Sequence, residues 1–258
     1  MIAKFLLIFY WLMLGCSIPF TIGVKHAAQI NKLNWSNSVL ITVVEFKQEI
    51  CADGECMLME RNFATGTSFI IDHTDEQTIM MSAAHLCMQS KVVESITAEG
   101  FENVDASIVK TASMFVDNKN VQYYVDEILF KDEQSDICIY KTKQIVPYLP
   151  LRIADEMPEY GEEVWTIGAP TGFMPDTAKP ISRGLFSGEA IRTDFFGIQQ
   201  NIANYSLPTI QGMSGSPIMN SEGYVIGIVS AVHRDWHMIS FSPTLAQIRA
   251  AIDTVYDD

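Results

Sequence analysis

The sequence predicts an all-β protein in two halves, each a barrel or sandwich, closed by one C-terminal helix. Three observations carry this reading. Short runs rich in Val, Ile, Tyr and Phe recur between turn signals along most of the chain, as successive strands do. The stretch "IVPYLPLRIADEMPEYGE", with three prolines and few periodic apolar positions, interrupts those runs near residues 145–155. The final periodic segment, "SPTLAQIRAAIDTV", changes its apolar spacing to three and four, the spacing of a helix face.

The first series of runs is "VLITVVEF", "GTSFII", "QTIMMSA", "ASIVKTA", "VQYYVDEILF" and "DICIYKT". These belong to a first half over residues 36–145. The second series is "EEVWTIGA", "GLFSGEAIRT", "FGIQQNIAN", "SPIMN", "YVIGIVSAV" and "HMISFS", in a second half over 155–258. In the closing helix Ser242 is the expected cap and Pro243 the first helical residue. Leu245, Ile248, Ile252 and Val255 share one face, which is expected to pack on the second half.

Residues 1–24 differ from the rest. Lys4 precedes an uncharged run from Phe5 to Val24. A basic start, an apolar stretch and small residues after it make a secretory signal peptide, with a cut after Ser17 that Gly15 and Ser17 suit. Two other readings stay open: lipidation at Cys16 in "MLGC", and retention of the run as an uncut membrane anchor, since about 20 apolar residues span a bilayer. All three put the folded part outside the cytoplasm, secreted or periplasmic. Disulfides persist there. Cys51 and Cys56 flank "ADGE", whose Asp-Gly favours a hairpin turn, so a bridge across that hairpin is expected. Cys87 and Cys138 lie in apolar surroundings and are expected to be free, buried thiols.

The chain has 258 residues, 48% of them hydrophobic, and a net charge of −14. It is long and apolar enough for a sizeable core. No Lys/Arg cluster breaks the acidity, so a nucleic-acid partner is not expected.

Three stretches carry candidate chemistry. "GMSGSP", residues 212–217, holds two serines among glycines and a proline; alone it is an ordinary turn. His85 ends the apolar run "TIMMSAAH", where a histidine is more often part of a core. Asp136 opens the strand "DICIYKT", where an aspartate is more often a turn residue. Together they give the order His, Asp, Ser. A serine hydroxyl is a weak nucleophile and needs a base for its proton. Imidazole is suited to that task near neutrality, and a carboxylate orients the ring.

In these blocks, "GTSFIID…TIMMSAAHLC", "SDICIYKT" and "GMSGSPIMNSEGYVIGIVSA", the chain resembles the chymotrypsin-like (trypsin-like) serine peptidases. The segment 146–173 is similar to the interbarrel region of the HtrA/Deg branch, and "GMSGSP" also resembles the glutamyl endopeptidases. The resemblance spans roughly residues 36–256. It implies two antiparallel six-stranded β-barrels with the active site between them, and a catalytic triad of His85, Asp136 and Ser214. It also implies an oxyanion hole from the N–H groups of Gly212 and Ser214, no metal and no cofactor, and a protein or peptide substrate. Ser216 matches a supporting position. Ser230 matches a residue whose hydroxyl supports the triad aspartate and which borders the substrate; read from the strand alone, it faces solvent equally well.

Met213 departs from the zymogen-activated members, which carry an Asp there to pair with a freed N-terminus. No such ion pair can form, so the oxyanion turn must be ordered in another way. The base of the specificity pocket falls on Pro208, followed by Thr209. No Asp is present to receive Arg or Lys, and His233 and His237 are only near the place where glutamyl endopeptidases use a histidine. A small or medium apolar side chain before the scissile bond is the first expectation and Glu the second. The competing reading is a protease-fold binding module without activity.

Overall fold

The computed structural model describes residues 35–52, 55–87, 91–95, 104–175, 180–193, 199–233 and 236–257, with side chains outside 46–61, 91–95 and 104–113. The leader expected over 1–24 lies outside the described residues, and so do the side chains of Cys51 and Cys56. Their backbones pair directly across the hairpin.

The first half contains β1 (Val39–Ala52), β2 (Glu55–His73), β3 (Thr78–Ser82), β4 (Lys91–Ser95), β5 (Val104–Val116), β6 (Gln122–Asp132) and β7 (Ile137–Thr142). They form one sheet in the order β1-β2-β3-β7-β6-β5-β4, and β1 also pairs with β5. That extra pairing closes β1, β2, β3, β7, β6 and β5 into a barrel, with β4 added outside on β5. Closure removes the exposed edges that an open sheet leaves. Every residue of β3 is buried, so its run of apolar residues has no polar alternation. Leu40, Ile70, Met80, Phe115 and Tyr140 fill the barrel, with Phe115 and Tyr140 edge to face at 5.3 Å between ring centres. Burying each such side chain stabilises by about 1.5–3 kcal/mol.

The second half contains β8 (Glu163–Ile167), β9 (Ile181–Thr193), β10 (Gln199–Ser206), β11 (Pro217–Met219), β12 (Val225–Ile228), β13 (Ala231–His233) and β14 (Trp236–Ser242). Its order is β12-β11-β8-β9-β10-β14-β13. The expected barrel of six strands is here a seven-stranded sheet whose ladder stays open among the described residues. The sheet curls, because β12 and β13 are consecutive in the chain yet stand at opposite ends. Single bonds hold the curl: Ser230 N–H to Phe241 O at 2.9 Å and Ile228 N–H to Ser242 Oγ at 2.8 Å. Val164, Phe186, Tyr205, Leu207, Ile218 and Ile226 form its core.

A four-residue helix, α1 (Ala84–Cys87), follows β3. The C-terminal helix, α2, covers Leu245–Tyr256 and is capped by Thr244, not by Ser242 as expected. Ser242 is the last residue of β14, and its hydroxyl donates to Pro243 O at 2.7 Å while accepting from Ile228. Thr244 and Gln247 form a reciprocal box instead: Gln247 N–H donates to Thr244 Oγ1 and Thr244 N–H to Gln247 Oε1, satisfying donors that a helix start leaves open. Leu245 and Ile248 are buried. The helix lies against β12 of the second half and also against β6 and β7 of the first.

The linker between β7 and β8 is stitched to both halves. Leu151 N–H donates to Ile70 O at 2.9 Å, Val225 N–H to Arg152 O at 2.8 Å, and Ala154 N–H to Val225 O at 2.9 Å. Tyr256 adds a fastening, its hydroxyl donating to Asp72 Oδ2 at 2.6 Å. Among the described residues no helix is long and apolar enough to cross a membrane.

Candidate active site

His85 stands on α1, and Asp136 at the entry to β7, with φ 57°. That left-handed backbone is one Asp tolerates better than most residues. It lets both carboxylate oxygens face α1. His85 Nδ1 lies 3.0 Å from Asp136 Oδ1 and 2.9 Å from Oδ2. The His85 backbone N–H also donates to Oδ1 at 2.9 Å, and Ala84 N–H donates to Asp136 O at 3.1 Å. The Ser230 hydroxyl donates to Oδ2. Asp136 therefore accepts from a ring nitrogen, a main-chain amide and a hydroxyl, while its side chain keeps 15% exposure against 40% for His85. The nearby Asp132 does not face the histidine. It takes N–H bonds from Gln134 and Ser135, and the hydroxyl of Ser135. Those bonds hold its carboxyl below the usual range against the opposing effect of burial.

Cys87 and Cys138 form a disulfide. The expectation of free thiols is corrected. α1 lies against β7, and the bridge joins the two elements that carry His85 and Asp136.

The turn 210–216 is held from several sides. Met213 N–H donates to Ile210 O at 3.1 Å, and Gly212 has φ 92°, the arrangement of a turn that needs glycine at its third position. Gly215, at φ 83°, donates to Val229 O at 2.7 Å, and Val229 N–H to Ser216 O at 2.9 Å. A side-chain carbon on Gly215 would collide with Thr67 O and Ser82 Oγ. The turn thus touches β2 and the end of β3 on one side. On the other it touches Val229, whose neighbour Ser230 reaches Asp136. Through Val229 and Ser230 this path runs from the turn that carries Ser214 to Asp136, the carboxylate bonded to His85. Met213 is 2% exposed and lies under Gly168, where an added carbon would come within 3.2 Å of its side chain. The Ser216 hydroxyl is buried with no partner among the described residues.

Thr209 is 1% exposed. Its hydroxyl meets Ser240 Oγ at 2.7 Å, which in turn donates to Leu207 O at 2.7 Å. Thr209 N–H donates to His237 O at 3.2 Å, so His237 offers a carbonyl at this place. Pro208 is half-buried beside it. Among the described residues no group of three or more His, Cys, Asp or Glu side chains is arranged to hold a metal ion.

Sequence reasoning did not single out Thr67, which bonds the Ser214 turn from β2. It lies inside a quoted block, "GTSFIID", but nothing in its type or spacing marks it. Its side-chain hydrogen bonds are to residues more than a hundred positions away.

Among solved structures the chain is similar to Rv3671c from M. tuberculosis H37Rv. It matches an inactive mutant form with TM-score 0.57 and 17% identity, over 93% of this chain and 94% of that one. It matches the active form with TM-score 0.56 and 17% identity, over 88% and 83%. At that identity the likeness is one of fold. The magnetosome formation protease MamE of Paramagnetospirillum magneticum is 28% identical over 141 residues, 52% of this chain and 19% of that protein. The match therefore spans under a fifth of the relative's length. The family described as trypsin-like peptidase domain matches residues 66–228, and it is to this family that the chain belongs.

Proposed function

We propose that the protein is a serine endopeptidase in which His85, Asp136 and Ser214 act as a triad. The observation that carries this reading is the bonding of Asp136 to His85 Nδ1 with Ser230 behind it. A carboxylate accepting from Nδ1–H leaves Nε2 as the basic nitrogen. In the reaction Ser214 Oγ attacks the scissile carbonyl carbon as Nε2 takes its proton. The electron pair displaced onto oxygen is met by the N–H groups of Gly212 and Ser214. Collapse breaks the C–N bond, and the imidazolium gives its proton to the leaving amine. Ser214 is left as an ester, which a water deprotonated by the same nitrogen then hydrolyses.

A small or medium apolar residue before the scissile bond goes with a pocket base of Pro208 and Thr209. Thr209's hydroxyl is already engaged with Ser240, which weighs against Glu as the preferred side chain. The disulfide supports an exported protein, secreted or periplasmic, acting on protein or peptide substrates, with residues 36–145 and 155–258 as the two halves flanking the site.

A phosphonofluoridate probe tests the reading. Covalent labelling of the wild-type protein that is lost in Ser214→Ala is expected. An unlabelled wild-type protein that also cleaves no peptide in a diverse library would favour the binding-module reading.

A further inference from the structure

We propose that Thr67 is the positioning residue that keeps the oxyanion turn formed, doing from the first half what an ion pair at position 213 does in zymogen-activated relatives. The inference rests on the triad reading and adds to it the residue on which the turn's shape depends.

The bonds of the turn can be followed peptide by peptide. Four consecutive peptide groups link Gln211, Gly212, Met213, Ser214 and Gly215. All four carbonyls are tied. Gln211 O accepts from Thr171 N–H at 2.8 Å, and Met213 O from Ser216 N–H at 3.0 Å. Gly212 O accepts from Thr67 Oγ1 at 2.9 Å, and Ser214 O from Thr67 N–H at 2.8 Å. Two of the four amides are tied as well, Met213 to Ile210 O and Gly215 to Val229 O. The amides left without a protein acceptor among the described residues are those of Gly212 and Ser214, the two that the proposed mechanism needs. A trans peptide points its N–H away from its C=O. The Gly212 and Ser214 amides share their peptides with Gln211 O and Met213 O, which Thr171 and Ser216 hold. Thr67 holds the peptide between these two and the one that follows Ser214, so it fixes the peptide planes on both sides of the Ser214 amide.

Thr67 supplies two of those four carbonyl anchors, and it is itself fixed. It is fully buried. Its carbonyl accepts from Ser82 Oγ at 2.6 Å, and its hydroxyl oxygen accepts from Ala169 N–H at 3.0 Å. A hydroxyl has one proton to donate, and here that proton goes to Gly212 O. Val has the same shape without the hydroxyl, so Thr67→Val would leave Gly212 O and Ala169 N–H buried and unpaired while keeping the strand. Met213 beside the nucleophile is apolar and buried, so no charge at that position can take over.

The test compares Thr67→Val and Thr67→Ser with wild type in the full chain. Thr67→Val is expected to lower kcat by roughly 10²–10³, the size of losing an oxyanion donor, with KM largely unchanged. Thr67→Ser, which keeps the hydroxyl, is expected to restore most of the rate. In nitrogen-15 spectra the Gly212 and Ser214 amides should move in Thr67→Val and stay near wild type in Thr67→Ser. Wild-type turnover in a folded Thr67→Val protein overturns the proposal. Loss of turnover in Thr67→Ser equal to that in Thr67→Val also overturns it, and that arm decides the matter if the valine variant fails to fold. A wild-type protein that neither labels nor cleaves defeats the triad reading instead. The amide spectra then judge Thr67 alone, and unmoved Gly212 and Ser214 signals in Thr67→Val overturn the proposal.

Discussion

Cys87 and Cys138 are bonded to each other, each a short step along the chain from His85 and from Asp136. The bridge therefore crosses the same gap as the hydrogen bonds between imidazole and carboxylate, and makes α1 and β7 one covalent unit. Its partners are separated by 51 residues. For a loop of that length the chain-entropy account gives about 4 kcal/mol of stabilisation. The double variant Cys87→Ala/Cys138→Ala should lose an amount of that order in urea unfolding, and should lose turnover as His85 and Asp136 drift. Equal stability of the two proteins would mean that packing of α1 on β7 suffices by itself.

The two serines of the turn should separate cleanly. Ser214→Ala is expected to abolish peptide cleavage and leave the melting temperature near wild type. Ser216→Ala removes a buried hydroxyl that has no partner among the described residues, and removing such a group is expected to be neutral or stabilising. It should keep activity and melt no lower than wild type. The reverse pattern in paired activity and melting measurements would reassign the nucleophile.

Asp136→Asn should keep the fold and reduce kcat by about 10⁴, the loss seen when the orienting aspartate of a Ser-His-Asp triad is changed in this way. Ser230→Ala removes one of the donors to Asp136 and should cost much less. Steady-state kinetics of both variants at one pH checks the order of the two effects. A larger loss in Ser230→Ala would contradict it.

Two glycines with nearly equal φ provide an internal comparison. Gly161 has φ 86° and nothing within 4 Å of where a side-chain carbon would stand, whereas the same carbon on Gly215, at φ 83°, runs into Thr67 and Ser82. Gly161→Ala should cost only the left-handed backbone penalty of about 1–2 kcal/mol. Gly215→Ala should cost clearly more and lower activity, because relief of the clash moves Ser214. Denaturant unfolding of the two variants measures the difference.

Tyr123 and Asp117 give the chain an alkaline weak point. The Tyr123 hydroxyl donates to Asp117 Oδ2 at 3.3 Å, and Tyr148 donates to the same oxygen at 2.8 Å. Burial first, then the Asp117 charge and the hydrogen bond, push the Tyr123 phenol from 10.0 up to about 12. The folded state thus holds this proton more tightly than the unfolded chain. Its contribution is complete below about pH 10 and is lost as pH rises towards 12. Tyr123→Phe should remove that part of the pH dependence, flattening the fall in unfolding free energy by up to about 1.4 kcal/mol per pH unit. Parallel slopes for the two proteins across that window would refute the assignment.

The parts of the site that were legible in the sequence are those whose chemistry is local. Gly212 and Gly215 announce a turn with left-handed backbone. The β-rich runs announce strands, and His85, Asp136 and Ser214 stand in blocks whose residue types fit one reaction. What was not legible depends on which distant elements meet. The pairing of Cys87 with Cys138 required α1 to lie on β7, and apolar neighbours alone pointed to buried thiols. Thr67 reads as an ordinary β-branched strand residue until Gly212, Ser214 and Ala169 arrive around it. Ser242 has the right type for a helix cap, but the curl of the second sheet had already claimed its hydroxyl, and the cap moved to Thr244. The open ladder of that sheet could not be read either, since edge pairing depends on register between strands far apart in sequence.

The stitched linker bears on how a peptide would be admitted. Leu151 is bound to Ile70 of the first half, Arg152 and Ala154 to Val225 of the second, and Tyr256 ties the last helix back to Asp72. Spreading the two halves would break these bonds together, and the helix would also have to leave β6, β7 or β12. On the proposed reading, a peptide would therefore meet a stiff frame and not a jaw, its spacing fixed by the linker and the last helix. Heat should accordingly melt the two halves in one transition, with neither surviving as a folded remnant of the other.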